Sequence, residues 1–165
     1  MKKFIFTTAI AVFFLLCTYG IQGQTAQPQL KQVELMKKFL GTWQASTGKD
    51  TVEVWESQLF GNAVIITVSQ IIKGKKMPAY VNNMSYDTSD GKLKGFVLNA
   101  NASSTTWVGS FSSEIDFTGT MLNSFQPENG WGKFAFVFTT PKEWVFTMRN
   151  MEGVKTFEYK FIKMK

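Results

Sequence analysis

The most constraining feature of this sequence is a series of short segments, rich in β-branched and aromatic residues, that begins at Thr42 and is punctuated by turn residues about every ten positions. The connections are short, apart from one longer loop at 126–130, so consecutive strands are expected to pair as antiparallel neighbours. Strands are predicted over 42–47, 50–60, 63–73, 78–87, 92–100, 104–111, 114–122, 132–139, 143–149 and 154–163.

Alternation indicates which side chains of each strand face the core. In the strand over 132–139, Phe134, Phe136 and Phe138 share one face, and smaller or polar residues take the other. A meander of about 8–10 strands leaves two exposed edges unless it closes on itself. The pattern therefore predicts an all-β fold, an antiparallel up-and-down β-barrel, whose interior either is filled by side chains or holds one small ligand.

A short helix is predicted in front of the barrel. Pro28 can stand at the start of a helix, Gly41 can end one, and apolar residues recur at helical spacing between them. The predicted helix covers 29–40 and follows a Gln-rich spacer at 24–28. The helix and the strands are expected to form a single domain spanning 29–165.

Residues 1–23 have the pattern of a secretory signal peptide. A basic start at 2–3 is followed by an apolar run over 4–16 and then by small and polar residues. The apolar run is shorter than the roughly 20 residues needed to span a bilayer, and no second run follows it. We predict export to the periplasm or the medium, with cleavage after Gly20 or, preferably, Gly23, and no transmembrane segment in the mature chain.

The single cysteine, Cys17, raises the alternative of a lipoprotein signal. Such a signal has a small residue directly before its cysteine, whereas Leu16 stands there in this chain. Lipid anchoring at Cys17 is therefore not expected. If Cys17 is removed with the signal, the mature chain contains no thiol and no disulfide.

The composition excludes several classes of function. The chain has no histidine, so hydrolases that depend on an imidazole and haem proteins with a histidine ligand do not fit. Loss of Lys2 and Lys3 leaves 16 basic against 12 acidic residues, a net charge of +4 rather than +6, and Arg149 is the one arginine. A nucleic-acid surface normally carries an arginine-containing basic stripe. We expect a monomer with no nucleic-acid partner, metal, cofactor or catalytic residue.

A helix that leads into Gly-x-Trp on the first strand of an antiparallel meander, here Gly41 to Trp43, resembles the lipocalin and fatty-acid-binding superfamily. The stretch from Leu40 to Lys163 is similar to a family of secreted bacterial lipocalin-like proteins, a domain of unknown function. The likeness is carried by Leu40-Gly41-Thr42-Trp43, Tyr86-Asp87, Gly91-Lys92-Leu93, Trp107-Val108-Gly109 and Phe157-Glu158-Tyr159-Lys160-Phe161.

The resemblance implies a structural role for Trp43. In the superfamily this tryptophan closes one end of the barrel, and a cation from a late strand often covers its ring. Trp43 would be the plug and Arg149 its cation, although Lys160 or Lys163 could take that place. The alternative is that Arg149 only marks a hairpin end beside Asn150.

The acidic residues do not form a convincing catalytic pair. Glu114 and Asp116 lie on the strand face opposite Ile115, which is predicted to point inward, so both acids are expected to face water. Glu53 and Glu56 are three positions apart on one strand and should face opposite sides.

The predicted ligand site is the set of inward aromatic and methionine residues, with few polar members. An apolar cavity with sparse polar groups is the usual form of a small-molecule site. Each of these side chains taken alone is better explained by a packed core, and it is the set as a whole that favours ligand binding. We predict an exported lipocalin-like protein that binds a small apolar or amphipathic molecule inside the barrel and catalyses no reaction. The predicted lining residues are Tyr80, Asn82, Met84, Tyr86, Trp107, Phe117, Phe136, Trp144 and Phe146.

Two alternatives remain open at this point. The first is a filled barrel that presents its loops to another envelope component, which would show an exposed aromatic patch instead of a cavity. The second is an enzyme that uses Tyr80, Tyr86 or a lysine in place of histidine, which would show a strongly perturbed titratable group facing inward.

Overall fold

The computed structural model describes residues 30–123 and 126–164. The predicted signal peptide at 1–23, Cys17 within it and the spacer at 24–28 lie outside the described residues. The elements are the helix α1 (Gln32–Met36), a 3-10 turn (Lys37–Phe39) and the strands β1 (Gly41–Gly48), β2 (Thr51–Phe60), β3 (Ala63–Ile72), β4 (Lys75–Asp87), β5 (Lys92–Asn99), β6 (Ser104–Phe111), β7 (Asp116–Asn123), β8 (Gln126–Thr140), β9 (Glu143–Arg149) and β10 (Lys155–Lys163).

The ten strands of the described residues form one closed antiparallel barrel in which each strand pairs with its neighbours in the sequence. β1 and β10 close the barrel through the pairs Trp43 with Lys163 and Gln44 with Ile162. Closure gives the first and last strands partners and so removes the two sheet edges. The prediction of an all-β antiparallel up-and-down barrel is confirmed.

The leading helix is shorter than predicted. α1 begins at Gln32, and the 3-10 turn continues the helical segment to Phe39, where the periodicity predicted a helix over 29–40. So short a helix is marginal by itself, and here a side chain anchors it to the barrel. Gln32 donates from Nε2 to the carbonyl of Phe111 (3.0 Å) and accepts from the Phe111 amide at Oε1 (2.8 Å). This reciprocal pair ties the first turn to β6.

Two predictions next to β7 are wrong. The segment 126–130, predicted as a loop, is the first part of β8, because register shifts within Met121 to Asn123 let a segment containing Pro and Gly continue the ladder. Ile115 does not point inward and is 49% exposed, because β7 begins only at Asp116. Both errors arise where local irregularity interrupts the alternation.

Aromatic rings fill the half of the barrel next to α1, here called the helix end, where β1 begins. Phe39 enters this half from the 3-10 turn, and the Trp43 indole donates to the Phe39 carbonyl (2.9 Å). Trp144 stacks on Phe161 with 3.9 Å between ring centroids. The fully buried side chains here include Met36, Phe39, Trp43, Leu93, Phe117, Trp144 and Phe161.

The cation over Trp43 is Lys163 and not Arg149. The Lys163 Nζ lies 5.1 Å from the centroid of the Trp43 ring, within the range of a cation–π contact. Arg149 lies at the other end of the barrel, where its guanidinium donates to the Gly153 carbonyl (3.0 Å) across the β9–β10 hairpin. Of the possibilities that the sequence left open, the structure therefore shows Lys163 over the plug and Arg149 at a hairpin end, because β9 runs away from Trp43 and ends at Arg149.

Candidate functional site

The opposite half of the barrel, here called the open end, contains a cavity of about 380 Å³. This volume lies within the range of small-molecule pockets, roughly 300–1,000 Å³. Trp131 and Phe157, which are 47% and 38% exposed, stand at its rim. The lining residues are Trp55, Tyr80, Asn82, Met84, Val97, Asn99, Thr105, Trp107, Met121, Trp131, Phe134, Phe136, Phe146, Met148, Arg149, Asn150, Thr156 and Phe157.

The structure places most of the predicted lining residues at this cavity and three of them elsewhere. Tyr86, Phe117 and Trp144 lie on the predicted inward strand faces but at the helix end, where Phe117 and Trp144 are fully buried in the packed rings. Alternation identifies the face of a strand and not the depth along the barrel axis. The predicted residues that line the cavity are Tyr80, Asn82, Met84, Trp107, Phe136 and Phe146.

Several lining residues were not among those predicted. Phe134 belongs to the alternating set of β8, so the face pattern that selected Phe136 could also have found it. Trp131 lies before the predicted start of that strand at 132, whereas in the structure β8 begins at Gln126. Trp55 follows Glu53 at a spacing of two, and this alternation in β2 was the available signal.

Two glycines shape the aromatic wall of the cavity. A Cβ at Gly95 would lie 2.1 Å from the indole of Trp107, and one at Gly119 would lie 2.4 Å from the ring of Phe134. Each ring therefore occupies the space above a glycine of the neighbouring strand. The positions of Trp107 and Phe134, and with them the shape of the cavity, depend on the absence of these two side chains.

A buried carboxylate lies behind the cavity wall. Glu53 is 8% exposed, and its Oε1 accepts hydrogen bonds from the Trp55 indole (2.6 Å) and the Tyr80 hydroxyl (3.0 Å). Its Oε2 accepts a longer bond from Gln70 Nε2 (3.5 Å). All three donors are neutral, and no lysine or arginine among the described residues forms an ion pair with Glu53. Neutral donors thus compensate the burial of this charge.

The two glutamates of β2 face opposite sides, as predicted. Glu56 lies on the outside of the barrel and pairs with Lys76 (3.0 Å). Glu53 lies inside the barrel, and its place next to the cavity does not follow from the spacing of the two acids, because the spacing fixes the face of each side chain and not what it contacts. Glu114 is exposed and Asp116 accepts a bond from the Ser113 hydroxyl (2.8 Å), so they do not form an acid–base pair.

Tyr80 is the inward, strongly perturbed titratable group that the enzyme alternative calls for, but its pKa is shifted in the direction opposite to that of a base. Burial raises the pKa of Tyr80 well above 10.0, and the negative charge of Glu53 and the hydrogen bond to it act in the same direction. A tyrosine that serves as a base at neutral pH needs a lowered pKa. Within 30–123 and 126–164, no cluster of three or more histidine, cysteine or acidic residues could hold a metal ion.

The raised pKa of Tyr80 predicts a specific loss of stability in alkali. The unfolded chain loses this proton near pH 10 while the folded chain keeps it, so folding stability falls as the pH rises through the ordinary tyrosine pKa. Urea unfolding between pH 8 and 11 should show a steeper decline for the unmodified protein than for Tyr80→Phe, by up to about 1.4 kcal/mol per pH unit. Tyr86→Phe, the matched control at the helix end, should keep the steep decline; parallel curves for all three proteins would contradict the prediction.

Fold and site together define a closed ten-stranded antiparallel barrel, packed with aromatic rings at the helix end and hollow at the open end. A scan against protein-family models finds no match for this chain, and a search of curated proteins finds none either. None of the helices in the described part of the chain has the length and hydrophobicity needed to cross a membrane. The cavity and the groups around it are therefore the basis for a functional proposal.

Proposed function

We propose that this protein is a lipocalin-like carrier that binds one small apolar or amphipathic molecule in the open-end cavity and catalyses no reaction. The observation that best supports the proposal is the unequal filling of the two halves of the barrel. The same chain packs Phe39, Trp43 and Trp144 tightly at the helix end and leaves about 380 Å³ at the open end. Protein interiors normally pack closely, and an unfilled cavity lowers stability, so a cavity of this size favours a ligand.

The character of the cavity wall supports an apolar ligand. Phe136 and Phe146 stack with 4.7 Å between centroids and an angle of 19° between planes, which makes one side of the wall flat. Methionines at 84, 121 and 148 contribute flexible, polarisable side chains that adapt to the shape of a ligand. Such a wall can accept a flat ring system on one side and adjust to it on the other.

The lipocalin-like character and the export of the protein are part of the same proposal. The leading helix, Gly41 to Trp43 at the start of β1 and the cation of Lys163 over Trp43 support the resemblance to that superfamily. The pattern at 1–23 supports export, so the ligand would be collected in the periplasm or outside the cell.

The rim of the cavity bears on the alternative of a filled interaction module. The exposed rings of Trp131 and Phe157 surround the cavity, and Trp131 donates from Nε1 to the Thr105 hydroxyl (3.2 Å). Because these exposed aromatic residues stand at the mouth of the cavity, they fit the entrance for a ligand better than a docking patch for another protein.

Native mass spectrometry of the mature protein, produced through its own export route, tests the proposal. We expect a discrete additional mass that disappears on denaturation. Val97→Trp adds a large ring to the cavity wall and should weaken binding of the neutral probe N-phenyl-1-naphthylamine at least tenfold. Leu98→Trp, one residue along β5 where the side chain is 49% exposed, is the matched control and should bind normally.

A folded protein that carries no additional mass and binds no probe would overturn the carrier proposal. The same holds if Val97→Trp and Leu98→Trp bind the probe equally well, because the probe would then lie outside the cavity.

A further inference from the structure

The cavity contains an amide group with unused hydrogen-bond donors. Asn82 is 8% exposed, and its Oδ1 accepts a bond from the Trp107 indole (3.0 Å). An indole N–H can only donate, so the side-chain atom that faces it must be the oxygen. The amide nitrogen of Asn82 is then directed elsewhere, and no described residue accepts a hydrogen bond from it. Since Asn82 lines the cavity, its two N–H groups are available to a ligand.

A hydroxyl with an unused acceptor stands next to this amide. Tyr80 is two residues from Asn82 on the same inward face of β4 and also lines the cavity. Its hydroxyl donates to Glu53 Oε1 (3.0 Å), and an ionised carboxylate can only accept. The proton of Tyr80 is therefore committed to Glu53. Its oxygen also interacts with the indole N–H of Trp55, so one lone pair remains available as an acceptor for a ligand.

The charge of Glu53 restricts what can bind to this pair. A ligand atom bonded to the Tyr80 oxygen would be roughly 6 Å from the Glu53 carboxylate, two hydrogen-bond lengths away. The three donors around Glu53 are neutral, so its negative charge is not cancelled nearby. An anionic head group would be repelled at this position, whereas a neutral group would not.

We propose that the cavity selects an uncharged aromatic or polycyclic alcohol. Its hydroxyl accepts a hydrogen bond from the Asn82 amide and donates one to the Tyr80 oxygen, and its ring system lies against the flat wall formed by Phe136 and Phe146. A hydroxyl can accept and donate at once, whereas a carboxylate can only accept and also carries the disfavoured charge. This inference rests on the proposed function and specifies the class of ligand.

Three pyrene compounds of nearly equal size test this selectivity: 1-pyrenemethanol, pyrene and 1-pyrenecarboxylate. Binding to the mature protein at pH 7.5 is followed by energy transfer to pyrene from the tryptophans that line the cavity at 55, 107 and 131. We expect 1-pyrenemethanol to bind about tenfold more tightly than pyrene, and 1-pyrenecarboxylate to bind more weakly than pyrene. A carboxylate that binds as tightly as the alcohol would overturn the proposed selectivity.

Two substitutions test whether the hydroxyl of the bound alcohol contacts Tyr80 and Asn82. Tyr80→Phe keeps the ring and removes the acceptor, so it should reduce the preference for the alcohol over pyrene, measured as the ratio of the two affinities, about tenfold. Asn82→Leu removes the donor and should reduce the same ratio about tenfold, although it also removes the hydrogen-bond partner of the Trp107 indole and can change the affinity for both compounds. Pyrene binding and thermal unfolding of each variant show whether the cavity is intact. An unchanged preference for the alcohol in both variants would overturn the proposal.

The other possible results show whether only the proposed ligand class is wrong or the carrier function as well. Arg149 lies at the rim of the cavity, and a carboxylate whose binding is lost in Arg149→Ala would show that an anionic head group is recognised at the rim, against the proposal. If the folded protein binds N-phenyl-1-naphthylamine but none of the three pyrene compounds, only the ligand class is overturned; if it also binds no N-phenyl-1-naphthylamine and carries no additional mass, the carrier function is overturned as well. If pyrene binds and the alcohol has no advantage, only the ligand class is wrong.

Discussion

Alanine at Gly95 is expected to destabilise the protein by about 2–3 kcal/mol and to abolish ligand binding. The new Cβ would lie 2.1–2.3 Å from three atoms of the Trp107 indole, which is 4% exposed. The indole is held by its hydrogen bond to Asn82 and by edge-to-face contacts with Phe117 and Phe134. The ring centroids of these two pairs are 6.0 and 5.7 Å apart. Moving it away from β5 would break these contacts and push the ring into the cavity. Urea unfolding and titration with N-phenyl-1-naphthylamine measure the two effects.

The control for this substitution is another glycine within a strand. A Cβ at Gly48 in β1 would meet Thr51 at an ordinary contact distance of 3.6 Å, so Gly48→Ala should change the stability by less than about 0.5 kcal/mol. A smaller partner should relieve the clash, and Gly95→Ala with Trp107→Leu should therefore cost less than the sum of the two single substitutions. Strict additivity, or a mild effect at Gly95, would contradict the proposed packing.

The strands and their inward faces could be predicted because both depend on local sequence. The side-chain period of two placed Phe134, Phe136 and Phe138 on the inward face, where the structure has them buried. Short connections then left antiparallel pairing of neighbours as the simplest topology, and the barrel follows it. The rule that Pro, Asn and Gly mark a loop was wrong at 126–130, because bulges in β7 extend the strand pairing through this segment.

The division of the interior into a filled and a hollow half could not be predicted in this way. Tyr80 and Tyr86 share one face of β4, yet only Tyr80 reaches the cavity, because depth along the barrel depends on the stagger of all ten strands. The filling of the helix end also depends on Phe39, which enters from outside the sheet. The cluster around Glu53 brings together residues of β2, β3 and β4, and no local pattern shows that meeting.

Trp144→Ala is expected to lower the free energy of unfolding by about 3–5 kcal/mol. This loss is a large part of the total free energy of unfolding of a domain of this size. Trp144 is fully buried at the helix end. The centroid of its ring lies 3.9 Å from the ring centroid of Phe161, 5.2 Å from that of Trp55 and 5.7 Å from that of Trp43. Truncation would leave a void among rings that are fixed by their neighbours. Chemical unfolding measures the loss. At a temperature where the variant is folded, binding of N-phenyl-1-naphthylamine should survive, in contrast to Gly95→Ala, because Trp144 does not line the cavity.

Phenylalanine at the same position should be tolerated far better than alanine. The Trp144 Nε1 is buried and has no hydrogen-bond partner, so Trp144→Phe removes a group whose unsatisfied burial costs about 1–3 kcal/mol and keeps a ring stacked on Phe161. That gain offsets much of the lost volume, and we expect a net change within about 1 kcal/mol. Trp43→Phe is the matched comparison, because it loses the bond from Nε1 to the Phe39 carbonyl as well as volume. It should be the more damaging of the two, and equal costs would show that the unpaired indole of Trp144 contributes nothing.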